Sequence, residues 1–113
     1  MKHYMHLNEE PFEKIKNGTK TIEMRIYDDK RRKMHKGDII EIENRSTGEI
    51  MTVEILNMYV LSSFREIYAK WNKVALGYNE EDIAKPEDME QYYPQDKQEK
   101  YGVLGIEINV VKK

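Results

Sequence analysis

Apolar and polar residues alternate with period two over four stretches of the chain, and between those stretches apolar residues recur at offsets of three and four. Strict alternation marks a half-buried strand, and the longer spacing marks an amphipathic helix. The first alternating stretch, Thr21 to Ile26, leaves a glycine-permitted corner at Gly18. It sends Ile22, Met24 and Ile26 to one face and Thr21, Glu23 and Arg25 to the other. Lys36-Gly37-Asp38 turns the chain into a second strand over 39–43, and 44–48 reads as a hairpin loop returning through a third strand over 49–56. Met51, Val53 and Ile55 form one apolar row, with Ile40 and Ile42 as its antiparallel partners. The last stretch, 103–111, presents Leu104, Ile106, Ile108 and Val110 in a row.

The helical segments are short. Asn8 stands at an N-cap position before Glu9, Glu10 and Pro11, Phe12 and Ile15 mark the buried side, and Gly18 stops the helix. Ser63 and Glu66 have capping-box spacing ahead of Phe64, Ile67, Tyr68 and Trp71, which predicts a helix over 64–72 with Trp71 plugging the core. Asn79 to Asp82 resembles another N-terminal cap, and Pro86 to Met89 opens a helical turn that Tyr93-Pro94 closes. Four or five strands, two or three short helices and strands at both ends predict an α+β fold, a small and mostly antiparallel β-barrel.

Length changes little in this picture: 113 residues suit one domain spanning 1–113. The absence of cysteine excludes disulfides and thiolate metal sites. The amino-terminal stretch lacks a signal-peptide apolar run and no stretch is long enough to span a membrane, so a cytoplasmic, soluble protein is expected. The net charge of −2 hides an asymmetry. Lys30, Arg31, Arg32, Lys33, His35 and Lys36 form a run free of acids, whereas residues 79–99 are rich in Glu and Asp. One surface should be basic and another acidic.

Two readings of the polar strand face stand side by side. A solvated face would look the same, but a hydroxyl, a carboxylate and a guanidinium in line, with Lys20 at the strand's mouth, also suit a polar ligand. The basic run serves equally as a solvated loop or as a steering surface for phosphate. His3, His6 and His35 have no metal-ligand spacing, so no metal is expected, and nothing in the sequence calls for a cofactor.

The order of these pieces resembles the ASCH domain, a branch of the PUA-like superfamily of small β-barrels associated with RNA. The likeness lies in residues 11–18, 20–25, 28–32 and 37–40, in Leu76-Gly77-Tyr78, in Tyr92-Tyr93, and in 101–106. It covers nearly the whole chain. The resemblance implies a cleft beside the barrel lined by Lys20, Glu23 and Arg25, an RNA, nucleotide or nucleoside partner, and a role in RNA metabolism. On a binding reading, Arg25 and Lys20 hold phosphate or a base carbonyl, Glu23 accepts from an exocyclic amine, Thr21 sits beside them, and Lys30, Arg31, Arg32 and Lys33 steer the backbone. Tyr27, Tyr93 or Tyr101 would offer a stacking face, and Glu80 or Glu81 a further carboxylate.

A second reading is hydrolysis of N4-acetylcytidine or RNA, since some small ASCH-like proteins are amidohydrolases. In those a lysine activates a threonine three residues on. Here that position is Glu23, which removes the nucleophile and leaves Lys20 and Glu23 as an acid/base pair acting on water. A third class is a protein-interaction module pairing the acidic and basic surfaces, with the oligomeric state open.

Overall fold

The computed structural model describes all residues from Met1 to Lys113. Five strands form one sheet in the order β1-β3-β4-β5-β2. They are β1 (Lys2–Leu7), β2 (Ile22–Ile26), β3 (Ile39–Asn44), β4 (Ile50–Leu61) and β5 (Val103–Lys112). Three of the four pairings are antiparallel; β1 joins β3 in parallel. The sheet curls into the expected small, mostly antiparallel, PUA-like architecture. It is a half-barrel whose edges, β1 and β2, have no ladder between them. That gap positions the site.

The alternating rows set the two faces. Ile40 pairs with Val53 and Ile42 with Met51, and these side chains are buried in the inner core with Met5, Leu7, Phe12, Ile15, Leu104 and Ile106. Directly opposed residues share a face. Glu23 pairs with Ile106 and Arg25 with Leu104, so the polar row of β2 lies on the inner face beside that core. Ile22 and Met24 face outward and meet a second apolar cluster built on Phe64, Ile67, Leu76, Met89 and Val103.

The helices cover this outer cluster and one open end. They are α1 (Glu9–Lys16), α2 (Phe64–Lys70), α3 (Lys73–Leu76) and α4 (Gln95–Tyr101), with 3-10 turns at Arg31–Lys33 and Pro86–Gln91. They outnumber the two or three expected. Asn8 occupies the N-cap of α1 without a side-chain cap bond, and Gly18 leaves the helix at φ 87°. The Ser63–Glu66 capping box does not form, because the Ser62 hydroxyl takes the Glu66 carboxylate. The predicted 64–72 helix stops at Lys70. Trp71 has extended backbone and is half-buried, stacked edge-on with Tyr59 at a centroid distance of 4.9 Å. Residues 79–82 form a turn in which Asp82 accepts the Asn79 amide, in place of a helix start.

Two boundaries moved for physical reasons. β4 runs to Leu61 rather than ending at 56, because a register shift between Ile55 and Asn57 breaks the period-two pattern without ending the pairing to β5. α4 has only Gln98 buried and hence no apolar stripe to announce it. No helix is long and apolar enough to cross a membrane.

Candidate functional site

Where the sheet fails to close, a cleft of about 410 Å³ opens between the edges, within the range of small-molecule sites. β1 and the start of α1 give it His6, Leu7, Asn8 and Pro11; β2 gives it Glu23, Met24 and Arg25. Lys20 and the Leu76-Gly77-Tyr78 corner close one end, and Tyr68, Met89 and Tyr93 supply the opposite wall.

Lys20, Glu23 and Arg25 meet at this wall. Lys20 and Glu23 are buried, each 6% exposed, so the solvated-face reading of the strand does not hold. The Lys20 Nζ lies 3.2 Å from Glu23 Oε1, and the Arg25 Nε and Nη2 lie 2.8 and 2.7 Å from Glu23 Oε2. Lys20 also donates to the carbonyls of Ile22 at 3.0 Å and Leu76 at 2.9 Å. Two hydrogen bonds to carbonyls and the Glu23 ion pair thus surround the ammonium. Burial alone would raise the Glu23 pKa, but the adjacent Lys20 and Arg25 charges outweigh it and hold the carboxyl below its ordinary range.

The corner that orients Lys20 depends on a glycine. Gly77 ends α3 at φ 111°, and a Cβ there would lie 3.1 Å from the Lys20 Cδ. Lys14 donates to the Gly77 carbonyl at 2.7 Å while Lys20 takes that of Leu76, so two ammonium groups satisfy the carboxyl end of α3.

The free edge of β2 adds backbone groups. Thr21 accepts from Ile108 and the Tyr27 amide donates to Gly102, which points the backbone of the odd-numbered residues at β5. The even-numbered ones face the open edge: Ile22 gives its carbonyl to Lys20, and Met24 presents an N–H and a C=O along the cleft. The far wall carries a hydrogen-bonded chain. Tyr68 and Tyr78 hydroxyls lie 2.7 Å apart, and Tyr78 donates to Asp88 Oδ2 at 2.7 Å. Burial first, then the Tyr68 and Asp88 contacts, push the Tyr78 hydroxyl well above its usual pKa, so it stays protonated as a donor.

The other predicted residues divide. Tyr93 lines the cleft, as Arg25 does. Lys30 and Arg31 border a second, smaller hollow that shares His6, Arg25 and Arg45 with the first. Thr21 is exposed at the strand's start, Arg32 lies 4.4 Å over the Tyr27 ring, and Lys33 is exposed; none of these lines either hollow. Tyr101 ends α4 beneath Lys100, also off the cleft. Glu80 and Glu81 are exposed, and the acidic segment contributes Asp82 and Asp88 instead. His6, Arg45, Tyr68 and Tyr78 went unassigned as site residues. Only Tyr78, beside Gly77, sits in a motif that could have flagged it.

The family model for the ASCH domain matches residues 5–112. No curated protein matches the chain. Among solved structures, the crystal structure of the hypothetical protein PH0355 is similar at 36% identity, with a TM-score of 0.83 over 98% of this chain and 100% of that one. The solution structure of protein PF0455 from Pyrococcus furiosus is 34% identical, with a TM-score of 0.73 and full coverage of both chains. An ASCH domain from Lactobacillus crispatus shares the fold at 13% identity, with a TM-score of 0.66 over 98% of this chain and 81% of that one.

Proposed function

The chain belongs to the ASCH domain family, and we propose that its cleft binds a nucleobase or nucleotide of RNA, in keeping with a role in RNA metabolism. The observation that carries this reading is the Lys20–Glu23–Arg25 cluster, with Lys20 and Glu23 buried and Arg25 partly so, at the wall of an open cleft. A buried ion cluster is weak support for stability, since well-packed apolar residues serve as well or better. Placed at a cavity wall, it supports recognition. Glu23 keeps acceptor capacity for an exocyclic amine, the Met24 edge offers one donor beside one acceptor, and Tyr68, Tyr78 and Tyr93 offer ring faces.

The same geometry favours binding over hydrolysis. A general base needs a free lone pair within reach of the proton it takes. Lys20 donates to two carbonyls and pairs with Glu23, and Glu23 is held between two cations. Fluorescence anisotropy with a short single-stranded RNA at low salt should show saturable binding that weakens in Arg25→Gln. No binding of RNA, nucleotide or nucleoside at low salt refutes the reading. Turnover of N4-acetylcytidine or labelled RNA that vanishes in Lys20→Ala would replace it with the hydrolytic one.

A further inference from the structure

We infer that the smaller hollow beside the cleft is a phosphate channel, so that this protein selects a phosphate-bearing strand over a free nucleoside. The inference rests on the nucleobase reading of the main cleft and extends it. The channel measures about 210 Å³, and His6, Arg25, Lys30, Arg31 and Arg45 border it. Not one carboxylate residue lines it, whereas Glu10, Glu23, Asp82 and Asp88 line the main cleft. In a chain of net charge −2 the smaller hollow is thus lined by cations without a carboxylate, whereas the main cleft mixes Lys20, Arg25 and Arg45 with four carboxylates.

The four cations and the His6 imidazole converge from four separate segments. His6 comes from β1, Arg25 from β2, Lys30 and Arg31 from the 3-10 turn and the residue before it, and Arg45 from the loop after β3. Three already face a carboxylate: Arg25 pairs with Glu23, Arg31 with Asp28 at 2.8 Å, and the His6 ring lies 3.8 Å from Glu43. Lys30 and Arg45 are exposed and form no ion pair, so their charge is available to a ligand. The Arg31 Nε is buried with no hydrogen-bond partner, an unspent donor in the same wall. His6, Arg25 and Arg45 line both hollows, so a strand whose base enters the cleft has its neighbouring phosphate directed into the channel. Phosphate contacts of this kind fix register without reading sequence.

The test uses the full chain with uridine, its 5′- and 3′-monophosphates and hexauridylate, titrated between 50 and 200 mM salt as the probe range. Arg45→Gln and Lys30→Gln should each weaken hexauridylate binding several-fold and reduce the salt slope by about 0.7, the single-strand value per phosphate contact. Uridine affinity should not change in Lys30→Gln, since Lys30 borders the channel and not the main cleft. Lys97→Gln on α4, exposed and off both hollows, controls for net charge and should match wild type. RNA binding with an unaltered slope in both channel variants overturns the channel and leaves the cleft reading standing. Uridine bound as tightly as its phosphates and the hexamer does the same. If no probe binds wild type at low salt, both readings fall together.

Discussion

Replacing Glu23 by glutamine removes the one negative charge between two cations while keeping the side chain's shape. In wild type the carboxylate is buried 3.2 Å from the Lys20 Nζ and 2.7 Å from the Arg25 Nη2. At an effective dielectric constant of about 20, each attraction amounts to roughly 5 kcal/mol, and most of that is offset by desolvation. The amide leaves Lys20 facing an uncompensated like charge in Arg25. Removing one partner of a buried pair costs about 3–5 kcal/mol, a large part of the roughly 5–15 kcal/mol expected for a domain of this size. Urea denaturation followed through Trp71, the single tryptophan, reads that loss. Because the folded-state pKa of Glu23 is depressed, its contribution is complete above the unfolded value of about 4.3 and disappears as pH falls through the folded value. The gap between wild type and E23Q should therefore be constant from pH 8 to pH 5 and narrow only below about pH 4. A Lys20→Met partner variant should couple to E23Q by about 1 kcal/mol or more, the double variant losing less than the sum. A loss under about 1 kcal/mol at pH 7, or a gap that widens on acidification, would refute the account of this cluster.

Three further outcomes follow from single positions. Gly77→Ala must adopt φ 111° with a Cβ 3.1 Å from the Lys20 stem; it should destabilise by about 1–2 kcal/mol in urea and also weaken RNA binding, since Lys20 must shift. Gly105→Ala sets a Cβ 3.1 Å from the Trp71 ring, so Trp71 emission should shift while RNA affinity stays at the wild-type value. Asp38 is held down at a pKa of about 2, first by the His3 ring and then by the His35 amide and the amino-terminal ammonium. Its stabilisation is present above the unfolded value of about 3.9 and lost as pH falls toward 2, so Asp38→Asn should flatten the acid limb of the stability curve between those values.

The sheet was legible wherever one face was dry. Ile40, Ile42, Met51, Val53 and Ile55 alternate cleanly because the inner core takes every second residue, and the register follows from the hairpin loop. β1 has no bounds legible in the sequence beyond the expectation of strands at both ends, because a short edge strand with only Met5 and Leu7 buried shows little pattern, and its parallel pairing to β3 has no local signal. The gap between the edges is equally invisible, since it arises from strand order rather than from any one segment. Lys20, Glu23 and Arg25 stood out through their spacing in a strand. Arg45 and His6 reach the same place from remote segments with ordinary surface composition, and only the fold unites them. The basic run illustrates the converse: five neighbouring cationic side chains in sequence send only Lys30 and Arg31 to a hollow, because the 3-10 turn rotates Arg32 onto Tyr27 and leaves Lys33 in solvent.

The most direct test is a nitrogen–proton correlation titration of the labelled protein with hexauridylate at low salt. Amide shifts should concentrate at Glu23, Met24, Arg25, Gly77, Tyr78 and Arg45, around the open edge of β2, with α4 and the Trp71 face unmoved. Shifts confined to α4 or to the covered outer side of the sheet, with Met24 and Gly77 silent, would contradict the claim that the unclosed edge is where RNA binds.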